Sequence, residues 1–439
     1  GVDYMQKFCS TAEKEGLIDA VNVTGGWHEA PVPQISYQLP AGGFAYLADA
    51  IKRAVNVPVI ACNRINNIDT MEAILKNGMA DFVGTARGFL ADPEFSRKVL
   101  EGVPYNRCQG CNKCIEAVLK GKSVVCAYNP EAGREVEEKT HRRVISAKKV
   151  IVAGAGPAGL EAAKKSAERG YKTILCTKDD KLGGLLNTAA IPPEKQDLRC
   201  FIENKKYELE QLGVDIRLNT EVTGALIHEI QPYFVVDATG GDVVIPPIKG
   251  IDKDNVYTAE QVLNASPELL AKVKKGSVVI IGGGSVGIET AKYIAESRFS
   301  TKESIPFNSL FVGKDIPAVD IVPDITVVEM TKKIGKDFSG LKWIVMKEVK
   351  ADKIKTMAET TVKEICDGYI VCDTPDGEVQ LKADNVIIAA GYKVQSGEIP
   401  EECLNEKISY VRIGDCAEIG DAMKAIHEAY EVFMKFFIA

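Results

Sequence analysis

Twice in this chain an apolar strand enters a glycine turn and leaves it as a helix, and few folds accommodate that pattern. Residues 150–153 (Val-Ile-Val-Ala) run into Gly154-Ala-Gly156-Pro-Ala158-Gly159, and residues 278–281 run into Gly282-Gly-Gly284-Ser-Val-Gly287. In such a turn the first glycine allows the reversal, the second lets a pyrophosphate approach the backbone, and the third packs the helix on the strand. The helix then presents its free N–H groups to the phosphates. Any strand–helix turn favours glycine, so either copy alone would mean little. The strand before and the helix after give each copy the context that a dinucleotide site requires. The two copies, about 130 residues apart, form an internal repeat of nucleotide-binding folds. The plainest arrangement inserts the second fold into the first, whose chain returns after about residue 389.

The strand beyond each turn separates the two folds. In the second fold the strand at 325–328 ends on Glu329, where a ribose 2′-hydroxyl would sit. A carboxylate there favours NADH, because a 2′-phosphate would be repelled and would require an arginine. The matching strand of the first fold, 173–176, ends on Thr177, whose hydroxyl bonds a ribose more weakly. Further on, an apolar strand at 411–413 closes on Gly414-Asp415 before a helix. Asp415 reads either as a helix N-cap or as the acceptor for a flavin ribityl hydroxyl, and the two upstream turns favour the second. Residues 298–324 have no clear periodicity and read as a loop.

Ahead of the first fold lies Cys108-x2-Cys111-x2-Cys114-x11-Cys126. Three thiolates on one tight loop and a fourth beyond a short helix (116–120) suit the corners of an iron–sulfur cubane. Structural zinc, the alternative, normally uses two separated C-x2-C knuckles; this run has one knuckle extended to three cysteines. A cluster passes electrons singly, and a dinucleotide fold directly downstream would feed it.

Residues 1–107 alternate helix (3–16, 44–55, 70–78, 93–101) with short apolar strands (18–23, 57–62, 80–85). That alternation means βαβ units and a parallel sheet. Three strands cannot close a barrel, and an open parallel edge invites aggregation. As the last units of a (β/α)8 barrel, which needs about 250 residues, they imply roughly five further strands supplied by preceding sequence or by a second polypeptide. Catalytic and phosphate-binding groups of such barrels lie just beyond the strands. Here these are His28 in Thr24-Gly-Gly-Trp-His28, Arg64 after the second strand, and Gly84-Thr-Ala86-Arg87 after the third. Guanidinium forks suit a phosphomonoester such as that of FMN. The ordinary alternatives are a surface salt bridge for each arginine and a structural role for a lone histidine.

The 439 residues suffice for about three domains. A net charge of −7 (54 basic, 61 acidic) with no basic run argues against nucleic acid or an anionic membrane surface. No stretch of about 18 apolar residues exists to span a bilayer, and no signal-peptide pattern opens the chain. Twelve cysteines, four clustered and the rest scattered, fit a reducing cytoplasm better than a secreted disulfide scaffold.

With these residues assembled, the whole chain resembles the flavin–iron–sulfur enoate reductases. These comprise 2,4-dienoyl-CoA reductase, 2-enoate reductase and the bile-acid and cinnamate reductases, with trimethylamine dehydrogenase more distant. The likeness rests on Gly26-Trp27-His28-Glu29-Ala30, Asn63-Arg64-Ile65-Asn66, Ala86-Arg87-Gly88-Phe89-Leu90-Ala91-Asp92-Pro93, the cysteine run, both glycine turns and Gly414-Asp415, in that order. It implies an α/β protein in four parts. These are the C-terminal portion of an FMN-binding (β/α)8 TIM barrel (1–107) and a 4Fe–4S segment with connector (108–146). An FAD-binding Rossmann-like domain (147–270 and 390–439) comes next, with an inserted NADH-binding Rossmann-like domain (271–389). By the same likeness Cys108, Cys111, Cys114 and Cys126 ligate the cluster, and Arg64, Gly84, Ala86 and Arg87 hold the FMN phosphate. Gly154, Gly156, Ala158 and Gly159 cradle FAD, with Thr177 near its ribose, Val222 at its adenine and Gly414-Asp415 at its ribityl chain. Gly282, Gly284, Gly287 and Glu329 take NADH, and His28 lies at the substrate carbonyl. Thr177 departs from the family, which places an acidic residue there. The family's proton-donating tyrosine belongs to the barrel strands that 1–107 does not contain.

The implied activity is NADH-dependent reduction of an activated C=C bond in a small unsaturated acid, thioester or enone. Electrons would pass from NADH to FAD, the 4Fe–4S cluster, FMN and substrate, the cluster bridging flavins too far apart for hydride transfer. His28 would polarise the conjugated carbonyl. Two other readings stand beside this one: an amine dehydrogenase of the trimethylamine type, and an NADH-oxidising electron-transfer subunit serving a partner chain. An oligomer with no nucleic-acid or membrane partner is expected.

Overall fold

A computed structural model describes residues 1–26, 36–140, 147–295, 323–395, 397 and 399–435. They divide into two compact units: Gly1–Glu135 with Glu194–Asn204, and the remainder of the described chain.

In the first unit α1 (Val2–Lys14), β1 (Val21–Val23), α2 (Ala45–Lys52), β2 (Val59–Ala61), α3 (Ile68–Lys76) and β3 (Phe82–Val83) alternate, and the strands pair in parallel in the order β1-β2-β3. Helical spacing puts Ala45, Ala48 and Ile51 of α2 on one face, buried in a core shared with Val59 and Ala61. Asn67 caps α3 by accepting the Thr70 N–H, as its side-chain chemistry favours. Each strand is shorter than the apolar run that marked it, because apolarity reports burial whereas a strand needs a bonded neighbour along its length. Periodicity marked α5 (Phe95–Glu101) but not α4 (Ala86–Ala91) before it. A mid-helix glycine, Gly88, weakens that signal; a Cβ there would come 2.6 Å from Thr85 Oγ1. Helix α6 (Lys113–Leu119) lies inside the cysteine run. Lys98 is buried between Asp92 (2.8 Å) and Asn204 (2.9 Å), which ties the stretch Glu194–Asn204 into this unit.

The second unit holds two five-stranded parallel sheets. In chain order its strands are β4 (Lys149–Ala153), β5 (Lys172–Cys176), β6 (Asp215–Arg217), β7 (Phe234–Asp237), β8 (Gly241–Val243), β9 (Val256–Thr258), β10 (Ser277–Ile281), β11 (Asp324–Val328) and β12 (Lys355–Met357). Then come β13 (Thr361–Ile365), β14 (Tyr369–Thr374), β15 (Gly377–Lys382), β16 (Asn385–Ile388), β17 (Tyr392–Val394) and β18 (Ser409–Arg412). The sheets run β18-β7-β4-β5-β6 and β12-β11-β10-β16-β9, with β13-β14-β15 an antiparallel meander and β8 paired to β17. The second sheet is thus built entirely from chain lying between β7 and β18 of the first. Its edge strand β9 precedes residue 271, and three residues are too few for periodicity to mark. Val150, Ile151, Val152, Val278 and Ile280 are fully buried, as central parallel strands covered on both faces must be. In each sheet the strand order reverses at the central strand, β4 or β10, and ligands of open α/β sheets bind beyond the C-terminal ends at that point. Among the described residues no helix is long and apolar enough to cross a membrane.

Candidate redox site

The cysteine loop is pinned from several sides within the first unit. Gly110 has φ +66°, and a Cβ on it would lie 2.8 Å from Tyr37 N, so only glycine fits. Tyr37 N–H donates to Gly110 O at 3.1 Å, and Asn66 Nδ2 donates to Cys108 O at 2.9 Å. Asn112, at φ +59°, turns the chain into α6 between Cys111 and Cys114, and Cys126 forms an isolated β-bridge with Asn129. Cys108, Cys111 and Cys114 lie within electrostatic reach of one another, and Cys126 within reach of Cys108 and Cys111. Burial pushes Cys111 up to about 11 and Cys126 up to about 12, and neighbouring thiolate charge adds to it, from Cys108 and Cys114 on Cys111 and from Cys111 and Cys108 on Cys126. Burial likewise raises Cys114. Thiols in this position ionise when a metal cation compensates, so the donor set fits a metal group. Among the described residues no group of three or more Cys, His, Asp or Glu side chains stands close enough to hold a single metal ion.

Two arginines from the strand ends lean on this loop. Asn63 and Arg64 both have left-handed backbone (φ +78° and +55°), a strained pairing for residues with side chains. The turn, with Asn63 Nδ2 donating to Gly25 O at 2.6 Å, leaves Arg64 buried at 7% exposure. Its Nε, Nη1 and Nη2 donate to Leu39 O, Cys108 O and Asp197 Oδ2, each at 3.2 Å. Of the five N–H groups of a guanidinium, two are left for the phosphate that the resemblance assigns to Arg64. Asp197 also accepts from Asn66 (2.8 Å) and Arg107 (3.4 Å); nothing local marks this role in the sequence, because Asp197 is distant in the chain. Arg87, at the start of α4 beside exposed Ala86, donates from Nη1 to Asn112 Oδ1 at 2.7 Å. Gly84 has no room for a Cβ, which would lie 2.8 Å from Cys62 Sγ. His28 lies outside the described residues.

At the first glycine turn, in the second unit, Gly154 has φ +99° and packs on Ala238 O, while a Cβ on Gly159 would strike Gly154 O. Around Gly156, by contrast, nothing lies within 4 Å of a Cβ position and φ is an ordinary −72°. No protein contact demands glycine there, and the space in front of the turn is open. A Cβ on Gly414, at φ +65°, would come 3.1 Å from the Cβ of buried Ala158, so Gly414 brings Asp415 to the same turn. Asp415 accepts the Gly420 N–H at 2.9 Å, yet burial leaves its carboxyl raised. Thr177 is buried at the end of β5 with its hydroxyl accepting from Asp179 N–H at 3.3 Å. The Val222 side chain packs in the core with Ile151, Cys176 and Ile399. Sequence reasoning missed three neighbours. Gly183 N–H donates to Ala155 O at 2.8 Å, and a Cβ on Gly184 would come 3.0 Å from Gly156 Cα. Asp237, fully buried, accepts from Arg412 Nε at 3.1 Å. The signals were the paired glycines and the run Val235-Val-Asp-Ala-Thr-Gly-Gly241, a strand passing into small residues.

At the second turn Gly282 has φ +119° against Ala389 O, and Gly287 packs on Gly282 O. Here acids crowd the middle. Glu329 Oε2 accepts the Gly283 N–H and Oε1 the Thr331 N–H, both at 2.8 Å. Burial raises its carboxyl, but those two N–H groups and nearby Lys336 outweigh burial and hold it below the usual range. Asp337 Oδ2 accepts the Ser285 N–H at 3.1 Å and lies 2.8 Å from a Cβ position on Gly284.

Residues 148–408 match the pyridine nucleotide-disulphide oxidoreductase family, and residues 12–106 match the NADH:flavin oxidoreductase / NADH oxidase family. The chain belongs to the pyridine nucleotide-disulphide oxidoreductase family. Having both domains on one chain is the pairing of the enoate reductases that its motifs resemble, with FMN the cofactor of one domain and FAD and NADH those of the other. The chain is 38% identical to a metal reductase of Desulforamulus reducens, over 98% of this chain and 65% of that protein. It is 30% identical to a bilirubin reductase of Mediterraneibacter gnavus, over 97% and 62%. A solved structure of 2-naphthoyl-CoA reductase with 2-naphthoyl-CoA is similar at a TM-score of 0.83 and 30% identity, over 98% and 62%. The chain therefore spans less than two thirds of the length of these relatives.

Proposed function

We propose that the chain acts in NADH-dependent reduction of an activated C=C bond in a small unsaturated acid, thioester or enone, as an oxidoreductase of CH–CH bonds in a reducing cytoplasm. The observation that carries this reading is the gathering of Cys108, Cys111, Cys114 and Cys126 into one half-buried patch of a single unit, in a chain that also holds two dinucleotide turns. When bound, NADH and FAD supply paired electrons, a 4Fe–4S cluster passes them singly, and FMN returns them to substrate as hydride.

The chain's own residues then have these tasks. Residues 1–107 form the C-terminal portion of an FMN barrel, completed by further strands, where Arg64, Gly84, Ala86 and Arg87 hold the phosphate. Within 108–146 the four cysteines ligate the cluster. In 147–270 and 390–439, Gly154, Gly156, Ala158 and Gly159 seat the pyrophosphate of FAD, Thr177 and Val222 flank its adenosine, and Gly414 positions Asp415 for the ribityl chain. In 271–389, Gly282, Gly284 and Gly287 seat NADH, and Glu329 selects a 2′-hydroxyl over a 2′-phosphate. His28 polarises the substrate carbonyl, so that negative charge developing on its oxygen is stabilised.

The test is anaerobic NADH consumption with an unsaturated acid or CoA thioester as acceptor, with the saturated product identified by mass. Consumption matched by saturated product is expected. No consumption, together with reduction of an artificial acceptor by trimethylamine, would replace this reading with the amine dehydrogenase.

A further inference from the structure

The two arginines that flank the cysteine loop are not equivalent. Arg64 is buried and bonded to Asp197, so its charge has a counter-ion. Arg87 is half-buried, and its guanidinium donates to a neutral amide, Asn112 Oδ1, at 2.7 Å. Asn112 holds the left-handed position between Cys111 and Lys113, where α6 begins. Its conformation therefore sets how Cys111 and Cys114 are presented, and Arg87 is anchored at that point. Cys111 and Cys114 lie one and two residues from Asn112, so the guanidinium is fixed beside the stretch of chain that carries two of the four candidate ligands. All of these residues, with all four candidate ligands, lie in one unit.

We infer that Arg87, beyond any contact with a flavin phosphate, tunes the cluster: anchored on Asn112, its positive charge stabilises the reduced state and raises the midpoint potential. The inference rests on the cluster reading of the four cysteines. The step is a one-electron reduction. An electron from dithionite, through a mediator, enters the cluster, no proton or bond is exchanged, and the cluster becomes one unit more negative. Net charge around the metal is one of the levers that set such potentials, and a cation at short range in a partly desolvated site acts strongly. A guanidinium that served only a flavin phosphate would leave the midpoint unchanged when removed.

The test is a redox titration of the full chain, purified anaerobically and followed by electron paramagnetic resonance of the reduced cluster, after iron and sulfide assay. In R87Q the oxidised-to-reduced ratio at fixed potential should rise about tenfold, which is 59 mV for one electron. N112D, whose new carboxylate neutralises the guanidinium while keeping its anchor, should shift the ratio in the same direction. R87K, which keeps the charge and loses the planar fork, should stay within about threefold of wild type. Wild type without iron and sulfide would overturn the cluster reading itself, whatever Arg87 does. With wild type loaded, an unchanged midpoint in R87Q, or equal shifts in R87Q and R87K, overturns the tuning. Failure of both R87Q and N112D to take up iron also overturns it, since the contact would then be a clamp needed for assembly.

Discussion

The two glycine turns share a backbone and differ in what surrounds it. Both open on a positive-φ glycine packed against the carbonyl just beyond a neighbouring strand, Ala238 O or Ala389 O, and both end on a glycine packed against the first. Their middles diverge: space around Gly156 is open, whereas Asp337 Oδ2 occupies that of Gly284 and Glu329 crowds Gly283. Sterics fix the turn, then, and the side chains around it fix what anion can rest there and how firmly. On the proposed reading the open, neutral turn suits a resident pyrophosphate. The acid-lined turn suits a visiting nicotinamide cofactor, with Glu329 meeting its 2′-hydroxyl and its phosphates competing with Asp337 for the helix.

Breaking the shared half of this comparison takes the largest effect. Alanine at Gly154 or Gly282 combines left-handed strain with a clash on a backbone carbonyl, and each should cost about 3 kcal/mol in urea unfolding of the domain concerned. A loss under about 1 kcal/mol at either would show that the backbone need is not common to both. The differing half is tested at the middle glycine. Gly156→Ala should leave stability within about 0.5 kcal/mol and weaken binding of FAD, or of ADP as its fragment, roughly tenfold, about 1.4 kcal/mol. Unchanged binding would mean that the open space is not a ligand's. At the second turn, Glu329→Gln should cut the preference for NADH over NADPH by about tenfold, since a charged hydrogen bond is worth roughly 1.5–3 kcal/mol; equal preference in wild type and variant would remove Glu329 from the site.

Smaller effects sharpen the contrast. Asp337→Asn removes an anion from the N-terminus of the helix Ser285–Ile294, an interaction worth about 0.3–1 kcal/mol. NADH should bind about two- to fivefold tighter, by fluorescence titration, if that carboxylate competes with its phosphates; weaker binding would mean that Asp337 assists the site. The smallest effect is in pH dependence. Glu329 is held below its unfolded value, so its stabilisation is present above about pH 4.3 and is lost as pH falls through the lowered folded value. Thermal melts of Glu329→Gln should therefore have a shallower acid limb than wild type, and identical limbs would contradict the pairing with Gly283 and Thr331.

The turns were legible in sequence because glycine at a positive φ or a close backbone approach has no substitute, and because residues 150–153 and 278–281, which lead into them, are unbroken apolar runs. The cysteine spacing was legible for a similar reason, since chemistry constrains it locally. What escaped depended on tertiary contact. Asp197 carries no local mark of its place beside Arg64, and the carboxylate of Asp337 gives no hint in sequence that it reaches the turn 52 residues earlier. In sequence the strained pair Asn63-Arg64 is only an arginine after a strand; that its backbone turns left-handed and delivers three donors to the cysteine loop's surroundings is visible only in three dimensions. Helix α4 was hidden by its own glycine.

Everything proposed for electron flow depends on what the four cysteines hold. The full chain, purified without oxygen, should yield about four iron and about four acid-labile sulfide per chain, as a cubane requires, with both lost together in Cys108→Ala and in Cys126→Ala. One zinc per chain without sulfide, or full iron retention in Cys126→Ala, would contradict it.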